Sequence, residues 1–151
     1  MHIIGVDPGK HGAYARIENG RLCRVVPFKG DITICRKIAM REVYIPSEMN
    51  FFVERVTASP QMGVVSAFTF GRWAEAIDTA LYLSQSDVHM VRPNIWQNAI
   101  GVFSGGDKKI LYEHAKKLFP EAYEKKMFNK ETSDAVLIAY YGWRYMENRK
   151  G

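Results

Sequence analysis

Cysteine is scarce in this chain. There are 2 cysteines, Cys23 and Cys35. Neither belongs to a CxxC pair or to a Cys/His spacing suited to zinc, which excludes a disulfide scaffold and a zinc-built fold. Long apolar runs are missing too. None approaches the roughly 20 residues needed to span a bilayer, so no membrane partner is expected. Met1-His2 leads straight into a strand-like stretch with no leader pattern, and the expected location is the cytoplasm. Histidine is sparse and scattered: His2, His11, His89 and His114 form no Ser-His-Asp or Cys-His arrangement, and each is read as structural. No repeat, low-complexity tract or linker interrupts the 151 residues. The chain is read as a single domain over 1–151, long enough to bury its own core.

What is present is an excess of basic charge around a few well-placed acids. The net charge is +5, with basic residues grouped at Lys108-Lys109, Lys116-Lys117, Lys125-Lys126 and Arg144, Arg149, Lys150. Any one lysine pair reads most simply as a solvated helix face. Together they suit a polyanionic partner. Asp7 ends the apolar run Ile3-Ile4-Gly5-Val6 and is followed by Pro8-Gly9, and Glu54 ends a second run, Phe51-Phe52-Val53. Glu131 and Asp134 stand three apart near the last helical stretch. Each acid alone has a plain role: a turn, a strand end, or a first-turn complement to a helix dipole. As a set they call for neutralisation, because a carboxylate at the end of an apolar run is costly without a positive partner. Hard divalent cations are the usual partner for clustered carboxylate oxygens.

The pattern of elements frames these acids. Residues 3–7 read as a buried strand, His11 to Ile17 as a second, and Arg21 to Pro27 as a third, joined by the Asn19-Gly20 hairpin signal. Residues 31–45 read as a helix ended by Pro46, although Val43-Tyr44-Ile45 also suits a strand. Residues 50–55 form a fourth strand. After a loop over Val56 to Met62, Ser59-Pro60 opens a long helix to Ser84, whose stripe Trp73, Ala76, Ile77, Ala80, Leu81 faces a core. Val88 to Val91 is a fifth strand, closed by Arg92-Pro93-Asn94. The loop Ser104-Gly105-Gly106-Asp107 caps a helix with the stripe Ile110, Leu111, Ala115, Leu118, stopped by Pro120. Glu131 to Met146 is the final helix. Glu131, Asp134, Ala135, Ile138 and Gly142 share one stripe by i, i+3, i+4 spacing.

The residues Ile4-Gly5-Val6-Asp7-Pro8-Gly9, Val53-Glu54 and Glu131-Thr132-Ser133-Asp134-Ala135, with Val91-Arg92-Pro93 and the Gly101 region leading to Lys108-Lys109, resemble the RuvC-type Holliday junction resolvases, and more nearly their phage-encoded members. The likeness spans nearly the whole chain. It implies an α/β RNase H-like fold: a five-stranded mixed sheet, an antiparallel meander followed by parallel strands, flanked by helices. It implies a magnesium-dependent endodeoxyribonuclease acting on four-way junctions and other branched DNA by paired nicks. It also implies a homodimer, in a bacterial cell or a phage-infected host. Asp7, Glu54, Glu131 and Asp134 match the four carboxylates that bind two Mg²⁺ ions in that family, Mn²⁺ being a substitute. Lys108 or Lys109 matches a basic residue near the site. Gln61, Met62, Phe68 and Arg92 are candidate DNA contacts; for Phe68 and Phe70 a place in the helix core is an equal alternative. The chain departs from the bacterial pattern in carrying Glu131 where aspartate is usual. It also has Trp96 or Gln97 where a lysine follows the fifth strand.

Three other readings share parts of this pattern. Asp-x-Gly after a strand also opens actin-like ATPases, but those need two lobes and leave the ExxD stretch unexplained. A non-catalytic nucleic-acid-binding module would have no use for the four acids. A flap or fork nuclease of the same fold would carry the same acids, and only its substrates would distinguish it.

Overall fold

The computed structural model describes residues 1–35, 49–55, 57–83 and 87–150. Five strands form one sheet: β1 (His2–Asp7), β2 (Ala13–Glu18), β3 (Arg21–Pro27), β4 (Met49–Glu54) and β5 (Asp87–Val91), in the order β3-β2-β1-β4-β5. The first three make the expected antiparallel meander, and β1–β4 and β4–β5 pair in parallel. The helices are α1 (Val64–Leu83), α2 (Pro93–Ala99), α3 (Lys108–Leu118), α4 (Pro120–Glu124) and α5 (Ser133–Asn148).

Alternation along β1 divides the core in two. Ile4 and Val6 point to one face, where they join Phe51, Val53 and the α1 residues Trp73, Ile77, Ala80 and Leu81. Ile3 points to the other face and joins Phe52 with Ala135, Ile138 and Ala139 of α5. Successive strand residues face opposite ways, so Gly5 and Asp7 belong with Ile3 on the α5 face. Glu54 likewise belongs with Phe52. This period of two puts the two strand-end acids under α5.

Helix α5 lies close against β1 because neither side carries bulk there. A Cβ on Gly5 would collide with backbone atoms of Ala135 and Ala139, and one on Gly142 would press into the Phe52 ring and Ile3. Ala135, Ala139 and Gly142 fall at i, i+4 and i+7, one face of the helix.

Several boundaries differ from expectation. The second strand begins at Ala13 because Lys10-His11 is the centre of a turn closed by the Gly12 N–H on the Gly9 carbonyl at 3.1 Å. Helix α1 starts at Val64 rather than Pro60, since the Met62 N–H closes a turn on the Ser59 carbonyl at 2.9 Å. Arg92-Pro93-Asn94 ends β5 and also opens α2, with Pro93 in the first helical turn, where its missing N–H costs nothing. Pro120 stops α3 and opens α4 in the same way. Ile110, expected in the α3 stripe, is exposed, while Leu111 and Ala115 are buried. The final helix begins at Ser133, two residues later than expected, because Asn129 Oδ1 accepts the Glu131 and Thr132 N–H groups at 3.0 and 3.1 Å and holds them in a turn. Of the expected 31–45 helix, residues 33–35 form a helical turn and 36–45 lie outside the described residues.

Candidate active site

Asp7 and Glu54 each stand one residue past the paired Val6 and Val53 on neighbouring parallel strands. They are therefore side by side at the carboxyl ends of the strands, about 5 Å apart in strand spacing. This edge is where ligands bind in open α/β sheets. Asp134 lies in the first turn of α5 and is carried over them by the close α5–β1 packing. It is only 9 % exposed.

The three carboxylates act on one another electrically. Burial raises Asp7 well above the ordinary aspartate range, and the Asp134 and Glu54 charges raise it further against the pull of Lys108. Burial also raises Glu54, partly offset by a hydrogen bond from Trp96, whose indole N–H donates to Glu54 Oε2 at 2.7 Å. Asp134 is raised by burial and lowered by Lys108, the first residue of α3, whose Nζ stands 3.3 Å from Asp134 Oδ2. Burial disfavours the charged form of Lys108, but Asp134, Asp7 and Glu54 outweigh it and hold the ammonium protonated. One cation thus serves three carboxylates.

Among the described residues Asp134 Oδ1 is buried without a hydrogen-bond partner. A buried acceptor left unpaired costs roughly 1–3 kcal/mol, more when charged. A deficit of positive charge and an orphaned oxygen in an all-oxygen donor set are what a hard divalent cation would relieve. Among the described residues no three His, Cys, Asp or Glu side chains are already drawn to ligating spacing. Lys108 engages Asp134 through Oδ2 and Trp96 engages Glu54 through Oε2, so each carboxylate keeps its second oxygen for a metal. The residues present fit magnesium or manganese in type and charge.

Not every expected residue converges here. Glu131 is exposed in the turn before α5, and the carboxylates that raise Asp7 are Asp134 and Glu54, without it. Lys109 is exposed and its N–H bonds to Asp107 Oδ1 at 2.8 Å, capping α3. Gln61 and Met62 lie in the turn before α1, Gln61 exposed and Met62 half-buried. Phe68 is 76 % exposed, which removes it from the core. Phe70 is half-buried, its ring lying near Gly9. It lines a cleft of about 460 Å³ with Asp7, Lys10, His11, Thr69 and Lys108. Lys10, which no sequence motif marks, and His11, expected to be structural, are both exposed on that cleft beside Asp7. Trp96 is fully buried. Its position departs from the bacterial pattern, and its bond to Glu54 is a contact that no sequence signal reports.

The sheet order and flanking helices define an RNase H-like fold, with Asp7 and Glu54 at the strand ends. No family model matches the sequence, and no curated protein does. Solved structures do match its fold. Thermus thermophilus RuvC in complex with Holliday junction substrate shares 18 % identity over 97 % of this chain and 95 % of that one, at a TM-score of 0.68. A second Thermus thermophilus RuvC structure shares 19 % identity over 97 % and 96 % of the two chains, at 0.65. Fowlpox virus resolvase with its substrate Holliday junction DNA shares 17 % over 97 % and 99 %, at 0.55. The five-stranded mixed sheet flanked by helices is thus the fold of the RuvC-type resolvases. Among the described residues no helix is long and apolar enough to cross a membrane.

Proposed function

We propose that the chain is a divalent-metal-dependent endonuclease that resolves Holliday junctions. The observation that carries this reading is the convergence of Asp7, Glu54 and Asp134 at the carboxyl edge of this fold, with one lysine between them and Asp134 Oδ1 orphaned. The chain's resemblance in fold to RuvC and to the poxvirus resolvase, both solved with junction DNA, supports junctions as the substrate class.

Asp7, Glu54 and Asp134 would hold the metal, with Glu131 as the fourth carboxylate of the set. When bound, two divalent ions lower the pKa of a water and stabilise the charge on the departing 3′ oxygen of the phosphodiester. The chain's own groups do the rest. Trp96 fixes the Glu54 carboxylate in direction. Lys108 bears the positive charge nearest the acids and presents it to a phosphate. Lys10 and His11 line the cleft on the other side of Asp7 and suit the flanking backbone. Gln61, Met62, Phe68, Arg92 and Lys109 are the outlying candidates for DNA contact.

Two opposed nicks in a two-fold junction call for two sites related by a two-fold axis, which a homodimer supplies. Helix α1 offers the surface: Val64, Val65, Phe68, Tyr82 and Leu83 are all exposed.

The test is cleavage of synthetic four-way junction, fork, flap and linear duplex DNA side by side. Junctions should be nicked in pairs with Mg²⁺ or Mn²⁺. Ca²⁺ should support binding alone, because its larger, looser shell misplaces the attacking water. Glu131→Gln, cutting as well as the parent, would reduce the ligand set to three. Full activity in excess EDTA refutes the metal-dependent chemistry, and preference for fork or flap reassigns the substrate within the same fold.

A further inference from the structure

A second groove, of about 510 Å³, opens on the edge strand β5. Its floor is aromatic. Phe52 and His89 are register partners on β4 and β5, and their rings stack at 4.6 Å and 19°. Tyr141 and Tyr145 of α5 meet Phe52 edge-on at 5.8 and 5.7 Å. Its rim is cationic. Arg55 and Arg92 are exposed, and among the described residues neither is in an ion pair and no acidic residue lines the groove. Ion pairing within the fold, among the described residues, therefore does not account for the cationic rim.

The groove also has a fixed relation to the acids. Phe52 and Glu54 are two apart on one strand and so face the same side, about 7 Å from each other along β4. Arg55 directly follows Glu54, and its N–H is tied to the Val91 carbonyl at 2.7 Å. Arg92 opens the short helix that carries Trp96 beneath Glu54. A strand whose phosphate lay at Glu54 would reach the groove with a neighbouring nucleotide.

We propose that this groove is a subsite for one unpaired nucleotide of the DNA strand beside the cut, its base against the His89 and Tyr145 rings and its phosphates between Arg55 and Arg92. The inference builds on the reading of the chain as a branched-DNA nuclease, and names the part of the substrate that this face takes. Aromatic faces accept any base, while guanidinium groups pair with phosphate oxygens. An acidic peptide would satisfy the arginines but offer no planar base to the His89 and Tyr145 rings.

The experiment follows the His89 ring by NMR while the full chain is titrated with a short thymidine oligonucleotide in EDTA, so that nothing is cut. With 4 histidines in the chain, His89 is assigned by comparison with H89Q. The His89 signals should shift as the oligonucleotide binds. His89→Ala should weaken oligonucleotide binding by roughly 5- to 150-fold, the range for loss of one stacked base. Arg55→Gln, at an exposed position where folding is not at stake, should lower the salt slope by about 0.7, one single-strand phosphate contact. An unmoved His89 ring, an unchanged slope in Arg55→Gln, or equal displacement by polyglutamate overturns the subsite. Junction cleavage separates this from the nuclease reading. A parent protein that cuts no branched DNA but still shifts His89 with oligonucleotide refutes the nuclease and leaves the subsite standing. Normal cutting by a protein whose His89 never responds does the reverse.

Discussion

Trp96→Phe removes one N–H from the centre of the molecule and leaves a ring in its place. The indole donates to Glu54 Oε2 at 2.7 Å from a fully buried position, and Glu54 itself is half-buried. A hydrogen bond to a charged group contributes about 1.5–3 kcal/mol, and the lost part of the indole leaves a void worth roughly 1 kcal/mol more. The expected loss is about 2.5–4 kcal/mol, a large part of the roughly 5–15 kcal/mol typical of a domain. The effect should depend on pH, with a definite sign. Burial already holds the Glu54 carboxyl above its ordinary 4.5, and the Trp96 bond is what pulls it back. Without that bond the folded protein holds the proton more tightly still. The penalty should therefore be greatest where Glu54 is ionised in the parent, and shrink as pH falls through its raised pKa towards 4.5, where both proteins carry it neutral. Urea unfolding of metal-free parent and variant, near neutrality and near pH 4, measures this. A penalty equal at both pH values, or smaller than about 1 kcal/mol at neutrality, refutes the assignment of Trp96 as the partner of an ionised Glu54.

Other perturbations have equally definite directions. Asp7→Asn should abolish cutting yet raise the stability of the metal-free protein near neutrality: the raised Asp7 pKa means that stability is lost as pH rises through it, and thermal unfolding at two pH values would expose a wrong sign. Lys108→Ala should lower both activity and metal-free stability by removing the counter-ion of Asp134, whereas Lys109→Ala, exposed at the start of α3, should only reduce the salt slope of junction binding by about 0.9. Sedimentation of the free protein and of its junction complex should give a dimer, and Phe68→Asp should shift it towards monomer. A strictly monomeric parent that still makes both nicks in one binding event would overturn the two-fold argument.

The strands were legible in the sequence because their signals are local. An apolar run ending in an acid, and Asn19-Gly20 between two alternating stretches, each need only a few residues to be read. The set of acids was legible for the same reason, and three of the four are brought together. What sequence reading missed depends on contacts between distant parts of the chain or on competition within a turn. Glu131 was placed on the helix by its spacing from Asp134. That spacing could not show that Asn129 would capture the Glu131 and Thr132 N–H groups first, although Asn before a helix is a known turn former. Trp96 to Glu54 joins residues 42 apart in sequence, and no periodicity reports such a pair. Pro93 and Pro120 were read as stops; each also starts a helix, because a proline that ends one element is preorganised for the first turn of the next.

Gly5 links the fold to the site most directly. With a side chain there, α5 could not lie on β1, since the obstruction is the backbone of Ala135 and Ala139, which no rotamer change can move. Asp134 precedes Ala135 by one residue, and Asp7 follows Gly5 by two. The approach that Gly5 permits is therefore what puts the Asp134 charge among those raising Asp7. Such proximity works against the metal-free fold, since two buried carboxylates repel and Lys108 offsets only part of it. A fold selected for stability alone would place an apolar residue at one of these positions, because replacing buried charge by apolar packing is often stabilising. That Asp7, Glu54 and Asp134 stand together at a cost to the fold is what the proposed metal site would account for, since a divalent ion would supply the missing positive charge.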